Sequence, residues 1–146
     1  MIDRYLGRFS SEIYAVLRIV AGFLFLLHGT QKFLGWPPSG RPAMPMNAMM
    51  TVAGVIEIVG GTMILIGLFA GLAAFIASGQ MAIAYFMVHQ PMGAFPIQNN
   101  GEPAVLFCFI FLYIASRGSG IWSVDSLTRR PTTIGDTDGV RSSPDL

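Results

Sequence analysis

Charge is scarce in this chain. Only 12% of its 146 residues are Asp, Glu, Lys or Arg, against roughly 25% in an ordinary soluble domain, too few to cover the surface of a soluble fold. The formal net charge of +1 lacks the concentrated basic field of a nucleic-acid binder, so no nucleic acid is expected as a partner. A single cysteine, Cys108, excludes a disulfide framework and C-x-x-C dithiol chemistry. No H-E-x-x-H, P-loop or G-x-G-x-x-G occurs, which removes direct support for a zinc peptidase, an NTPase or a dinucleotide-binding domain, and no metal site is expected. No internal repeat is evident, which weakens the case for an inverted-repeat transporter. What is abundant is apolar: 53% hydrophobic residues and a mean hydropathy of +0.59. This is the composition of an integral membrane protein.

Four long apolar stretches stand out, at about residues 13–34, 48–69, 71–88 and 103–122. Each is long enough to cross a hydrocarbon core of about 30 Å as a helix, and continuous apolar runs do not alternate as barrel strands would. The expected fold is all-α: a four-helix membrane bundle over residues 1–125, followed by a polar, disordered tail at 126–146. Gly35-Trp36-Pro37-Pro38 ends the first span, Phe69-Ala70-Gly71 makes a tight turn, and Asn100-Gly101-Glu102-Pro103 reads as a helix start. The proline-dense loop Gly35–Asn47 fits either a lid or an ordinary connection.

Arg4, Arg8, Arg117, Arg129, Arg130 and Arg141 fall on one side of such a bundle, and only Lys32 and Arg41 on the other. That bias places both termini in the cytoplasm. Acids at Asp3 and Glu12, and the lack of a small-x-small site after the first span, argue against a cleaved signal peptide.

Ionisable groups inside a span usually face the bundle interior or a water-filled cavity. Arg18, Gly22, Phe25, His28 and Lys32 follow one another at helical steps on the first span. Gly54, Glu57 and Gly61 do so on the second, and Ser78, Ala82, Tyr85 and His89 on the third, with Gln80 directed elsewhere. Counted along the helices from the cytoplasmic ends, Arg18 sits about 8 Å in, Glu57 about 18 Å, His28 about 22 Å and His89 about 26 Å. Glu57, His28 and His89 thus form one layer in the outer half, with Lys32 and Glu102 above it. Arg18 belongs to the other end, where Asp125 is the better-placed partner. Alternatives stand beside these readings: Arg18 snorkels to headgroups, Lys32 anchors at the interface, or His89 is a loop residue before Pro91. Glu57, twelve residues from one end of its span, cannot snorkel, so it is paired or protonated.

Taken together, Leu17-Arg18, His28-Gly29-Thr30-Gln31-Lys32-Phe33, Glu57-Ile58-Val59-Gly60-Gly61, Ile66-Gly67-Leu68-Phe69, Asn100-Gly101-Glu102 and Gly118-Ser119-Gly120-Ile121-Trp122-Ser123-Val124-Asp125 resemble the DoxX family of small bacterial membrane proteins. The resemblance covers roughly residues 10–126. Ile121 departs from it, since the family often has a basic residue there. The resemblance implies a four-helix inner-membrane protein described as an oxidoreductase, with relatives among the quinone-reducing thiosulfate dehydrogenase subunits. Its motif positions are Arg18, His28, Lys32, Glu57, Glu102, Trp122 and Asp125.

The expectation is therefore a membrane oxidoreductase component that binds a quinone or similar small redox molecule in the outer half of the bundle. In it His28 and His89 donate protons, Glu57 relays them, and Lys32 polarises a carbonyl. Phe25 or Tyr85 stacks on the ring, Glu102 lies at the mouth, and Arg18 and Asp125 are structural charges. No electron donor is visible, so a partner protein supplies it; membrane lipids surround the chain, and a homo-oligomer is compatible with it. Haem between His28 and His89 is a cofactor alternative. The non-enzymatic rival is an assembly or binding subunit, or a small-solute carrier, whose buried charges hold four helices in register.

Overall fold

A computed structural model describes residues 1–38, 40 and 45–128. The described residues are all-helical. After the short helix α1 (Ile2–Leu6), a 3₁₀ turn leads into the long helix α2 (Ser10–Leu34). Next come α3 (Ala48–Ile66) and α4 (Ala70–Ala84), the latter prolonged by a π-helical turn at Tyr85–His89 and a 3₁₀ turn at Gln90–Met92. Helices α5 (Glu102–Arg117) and α6 (Val124–Thr128) complete the described chain. Residues 39 and 41–44 of the proline-rich loop and the tail from residue 129 lie outside the described residues, and with them Arg41, Arg129, Arg130 and Arg141. Helix α6 crosses the boundary expected at residue 125.

Among the described residues, three segments are long and apolar enough to cross a membrane: Ser10–Leu34, Ala48–Ile66 and Ala70–Met92. Helix α5 is shorter than expected. It has 16 residues because Gly118 and Gly120, with φ of 73° and 62°, turn the chain back before Trp122. Helix α3 likewise ends at Ile66, not at 69. Gly67 takes the left-handed conformation (φ 71°) and the Leu68 N–H closes on the Met63 carbonyl at 2.9 Å, a glycine-terminated helix end.

Helix α2 packs antiparallel along α3, and α4 along α5, with α3 against α4. The α2–α3 seam is a backbone-to-backbone contact. A Cβ at Gly22 would lie 2.5 Å from the Leu65 nitrogen, and one at Gly61 would lie 2.7 Å from the Leu26 nitrogen. No larger residue fits that crossing. Between the helices lies a core of Tyr14, Ala21, Phe25, Ile64, Ala74, Ala77, Phe111 and Ile114.

One end of the bundle is held by a polar clasp. Arg18 is fully buried and donates to the carbonyls of Ile64 (2.6 Å), Leu65 (2.9 Å), Ile121 (3.3 Å) and Trp122 (2.7 Å). The guanidinium thus meets carbonyls freed at the end of α3, where the helix dipole is negative. The Tyr14 hydroxyl donates to the Gly118 carbonyl. Asp125, expected to pair with Arg18, instead accepts from the Phe69 N–H (2.9 Å) and the Ser119 hydroxyl (2.5 Å), while Ser119 Oγ accepts from the Ala70 N–H (3.2 Å). Residues following α5 therefore cap the start of α4. Arg18 does not snorkel, because backbone oxygens already surround it.

Candidate functional site

At the opposite end, Glu57 is carried by α3 and is only 2% exposed. Lys32, in the last turn of α2, pairs with it at 2.5 Å. Glycine at position 29 permits the approach, since a Cβ there would stand 2.9 Å from the Ile58 nitrogen and 3.0 Å from the Glu57 Cβ. Lys32 is therefore more than an interface anchor: its flexible stem brings the ammonium to the buried acid. From α4, Gln80 Nε2 donates to Glu57 Oε1 (3.1 Å) and to the Ala53 carbonyl (3.3 Å). Three helices meet on one carboxylate oxygen. The other, Glu57 Oε2, and Gln80 Oε1 are buried with no hydrogen-bond partner among the described residues.

This trio heads a cavity of about 830 Å³ between the first half of α3 and the second half of α4, backed by α2 and α5. Its wall is chiefly apolar, with His28 and His89 as further polar groups. The His28 ring sits edge-on to Phe107 with centroids 5.9 Å apart. His89 closes the π-helical turn and donates from Nδ1 to the Asn99 carbonyl at 3.0 Å. A carbonyl can only accept, so the bond fixes the proton on Nδ1 and leaves Nε2 free. Asn99 is itself buried and ties the loop together, donating to the Gly93 carbonyl (2.9 Å) and accepting from the Gly101 N–H (2.8 Å).

His28, Lys32, Glu57 and His89 thus line one cavity, as the sequence reading expected. Three other expected residues lie elsewhere. Phe25 is fully buried in the core, with its ring centroid 4.7 Å from that of Phe111. It packs helices together and offers no face to a ligand. Tyr85 opens the π-helical turn and lies over Gly101, where an added Cβ would be 2.8 Å from its ring. Glu102 is exposed at the start of α5 and borders a smaller groove of about 380 Å³ between α2 and α5. Arg18 and Asp125 belong to the distant clasp. Gln80 and Asn99 were not foreseen as site residues. A polar amide near the middle of an apolar span was the available signal for Gln80.

Membrane-length apolar helices that enclose a buried acid–base pair at the head of an apolar cavity define a small helical membrane protein. The DoxX family model matches residues 13–90, and the chain belongs to that family. It is similar to an uncharacterized protein of Haemophilus influenzae, 44% identical over 126 residues that cover 83% of this chain and 94% of the relative. No solved structure matches.

Proposed function

We propose that this chain is a multi-pass inner-membrane protein with both termini cytoplasmic, serving as the membrane component of an oxidoreductase that binds a quinone or similar small redox molecule. The carrying observation is the buried Lys32–Glu57–Gln80 cluster, with spare hydrogen-bonding capacity, at the head of an 830 Å³ apolar cavity. A quinone needs donors at its carbonyl oxygens. After gaining two electrons and two protons it is a diol that needs acceptors. Lys32 has ammonium protons beyond the one directed at Glu57, while Glu57 and the free Nε2 of His89 accept. Electrons come from a protein donor, and protons pass through His28, His89 and Glu57. The contacts of Tyr14 with Gly118 and of Arg18 with Trp122 bring the start of α2 and the segment after α5 to one end. This supports an even number of crossings.

Titration of the purified protein in nanodiscs with decylubiquinone tests the reading. Saturable binding and thermal stabilisation are expected, and Glu57→Gln should weaken binding about tenfold or more while the protein stays folded. Unchanged redox behaviour and melting with quinone or quinol analogues would sink it.

The non-enzymatic reading, an assembly or binding subunit, draws support from the way Glu57 joins α2, α3 and α4; it predicts that Glu57→Gln unfolds the protein. Haem between the two cavity-lining histidines is separated from both by a Soret band in protein expressed with adequate haem.

A further inference from the structure

The cavity is not sealed on all sides. Its wall includes Val52 on α3 and Ile76, Gly79, Ile83 and Met87 along α4 and its π-helical extension, all of them exposed at the bundle surface. These residues stand on membrane-length apolar segments, so the medium outside this opening is hydrocarbon. Behind the lips lie buried Met81 and Ala104, and then the Lys32–Glu57–Gln80 cluster.

Gly79 stands out in that wall. Glycine in a helix interior costs about 1 kcal/mol relative to alanine, and other helical glycines here have a reason for it: Gly22, Gly29 and Gly61 allow two backbones to touch. Gly79 has no such reason. A Cβ at this position meets no heavy atom within 4 Å, and its φ is not in the left-handed region. Among the glycines of the four long helices it is alone in having nothing against it. A side chain here would project into open space on the cavity wall, next to Gln80 in sequence.

We propose that the cavity is a lateral, tail-accepting site: an amphiphile enters from the membrane between α3 and α4, its polar head reaches Lys32–Glu57–Gln80, its apolar tail lies between the two helices, and Gly79 sets the width of the slot. The inference rests on the cavity's being the ligand site and adds the route and the tail. A flat head alone would leave most of an 830 Å³ cavity unfilled. An apolar tail fills it with surface that matches its wall.

The test uses the full chain in nanodiscs doped with a phospholipid bearing a photoactivatable diazirine in its acyl chain. Irradiation should label Met81 and Ala104 behind the lips, as well as Phe75 and Phe109, which are exposed outside the cavity. Gly79→Leu should cut labelling of Met81 and Ala104 about tenfold, leave labelling of Phe75 and Phe109 unchanged and not lower the melting temperature. Should Gly79→Leu fail to fold, Met87→Trp on the exposed lip narrows the same opening. Absence of label at Met81 and Ala104 in the wild type, or label there that the narrowed variant retains, overturns the proposal. Excess decylubiquinone is added as competitor in parallel. Where it fails to protect Met81 and Ala104 although the narrowed variant does, the lateral slot holds and the quinone reading falls.

Discussion

The two ends of the bundle handle a buried charge in opposite ways. Arg18 donates from both terminal nitrogens to four carbonyls from two separate stretches of backbone, leaving Nε without a partner among the described residues, and an apolar core lies beside it. Glu57 has one oxygen shared between Lys32 and Gln80, a second with no partner, and an open cavity alongside. Burial of an ion is costly in either place. At the first end backbone oxygens offset the cost, at the second a flexible side-chain pair does so only in part. Four bonds within a packed core make a clasp, and a carboxylate held through one oxygen beside empty space makes a site.

Substitutions at each end test that contrast. The largest effect is expected for Arg18→Leu. It strips the charged donor from four carbonyls in a region closed to water, at a cost of about 3 kcal/mol or more, and should appear as a large fall in melting temperature or loss of folded protein in detergent. The paired change Lys32→Met with Glu57→Leu removes both charges together. Stability should hold or rise, since apolar replacement of a buried pair is commonly neutral or favourable, while decylubiquinone binding disappears. Unfolding of that double variant would make the second end a clasp as well. The smallest effect is expected for Asp125→Ala, which removes a cap from the start of α4 and should cost about 1 kcal/mol in thermal melts without altering binding.

Much of this division was legible beforehand. Glu57 was too far from either helix end to reach water, and helical rise alone put Arg18 in a different layer from His28 and His89. The rest failed for identifiable reasons. A helical wheel orders residues around their own axis but does not say which neighbour each angle meets. That rotation is set by close contacts such as Gly22 on Leu65 and Gly61 on Leu26. Hence Phe25, on the polar stripe by spacing, packs on Phe111, and Gln80, apparently directed away, reaches Glu57. Tyr85 keeps the helical step of Ser78 and Ala82, its N–H bonding the Met81 carbonyl, yet that direction meets Gly101; the π-helical turn that starts there shifts the step only for the residues beyond it. Asp125 was matched to Arg18 by level and opposite charge, but the glycines after α5 leave carbonyls free for the arginine and bring the aspartate to unpaired N–H groups at the start of α4.

The clasp also bears on the order in which the chain is made. Arg18 is translated early, two of its acceptors arrive with residues 64 and 65, and the remaining pair only some 103 and 104 positions after it. During insertion the cation therefore waits, half-coordinated, until the segment after α5 has been made. A nascent chain stopped short of Ile121 would hold that positive charge between its first helices with only the Ile64 and Leu65 carbonyls to meet it.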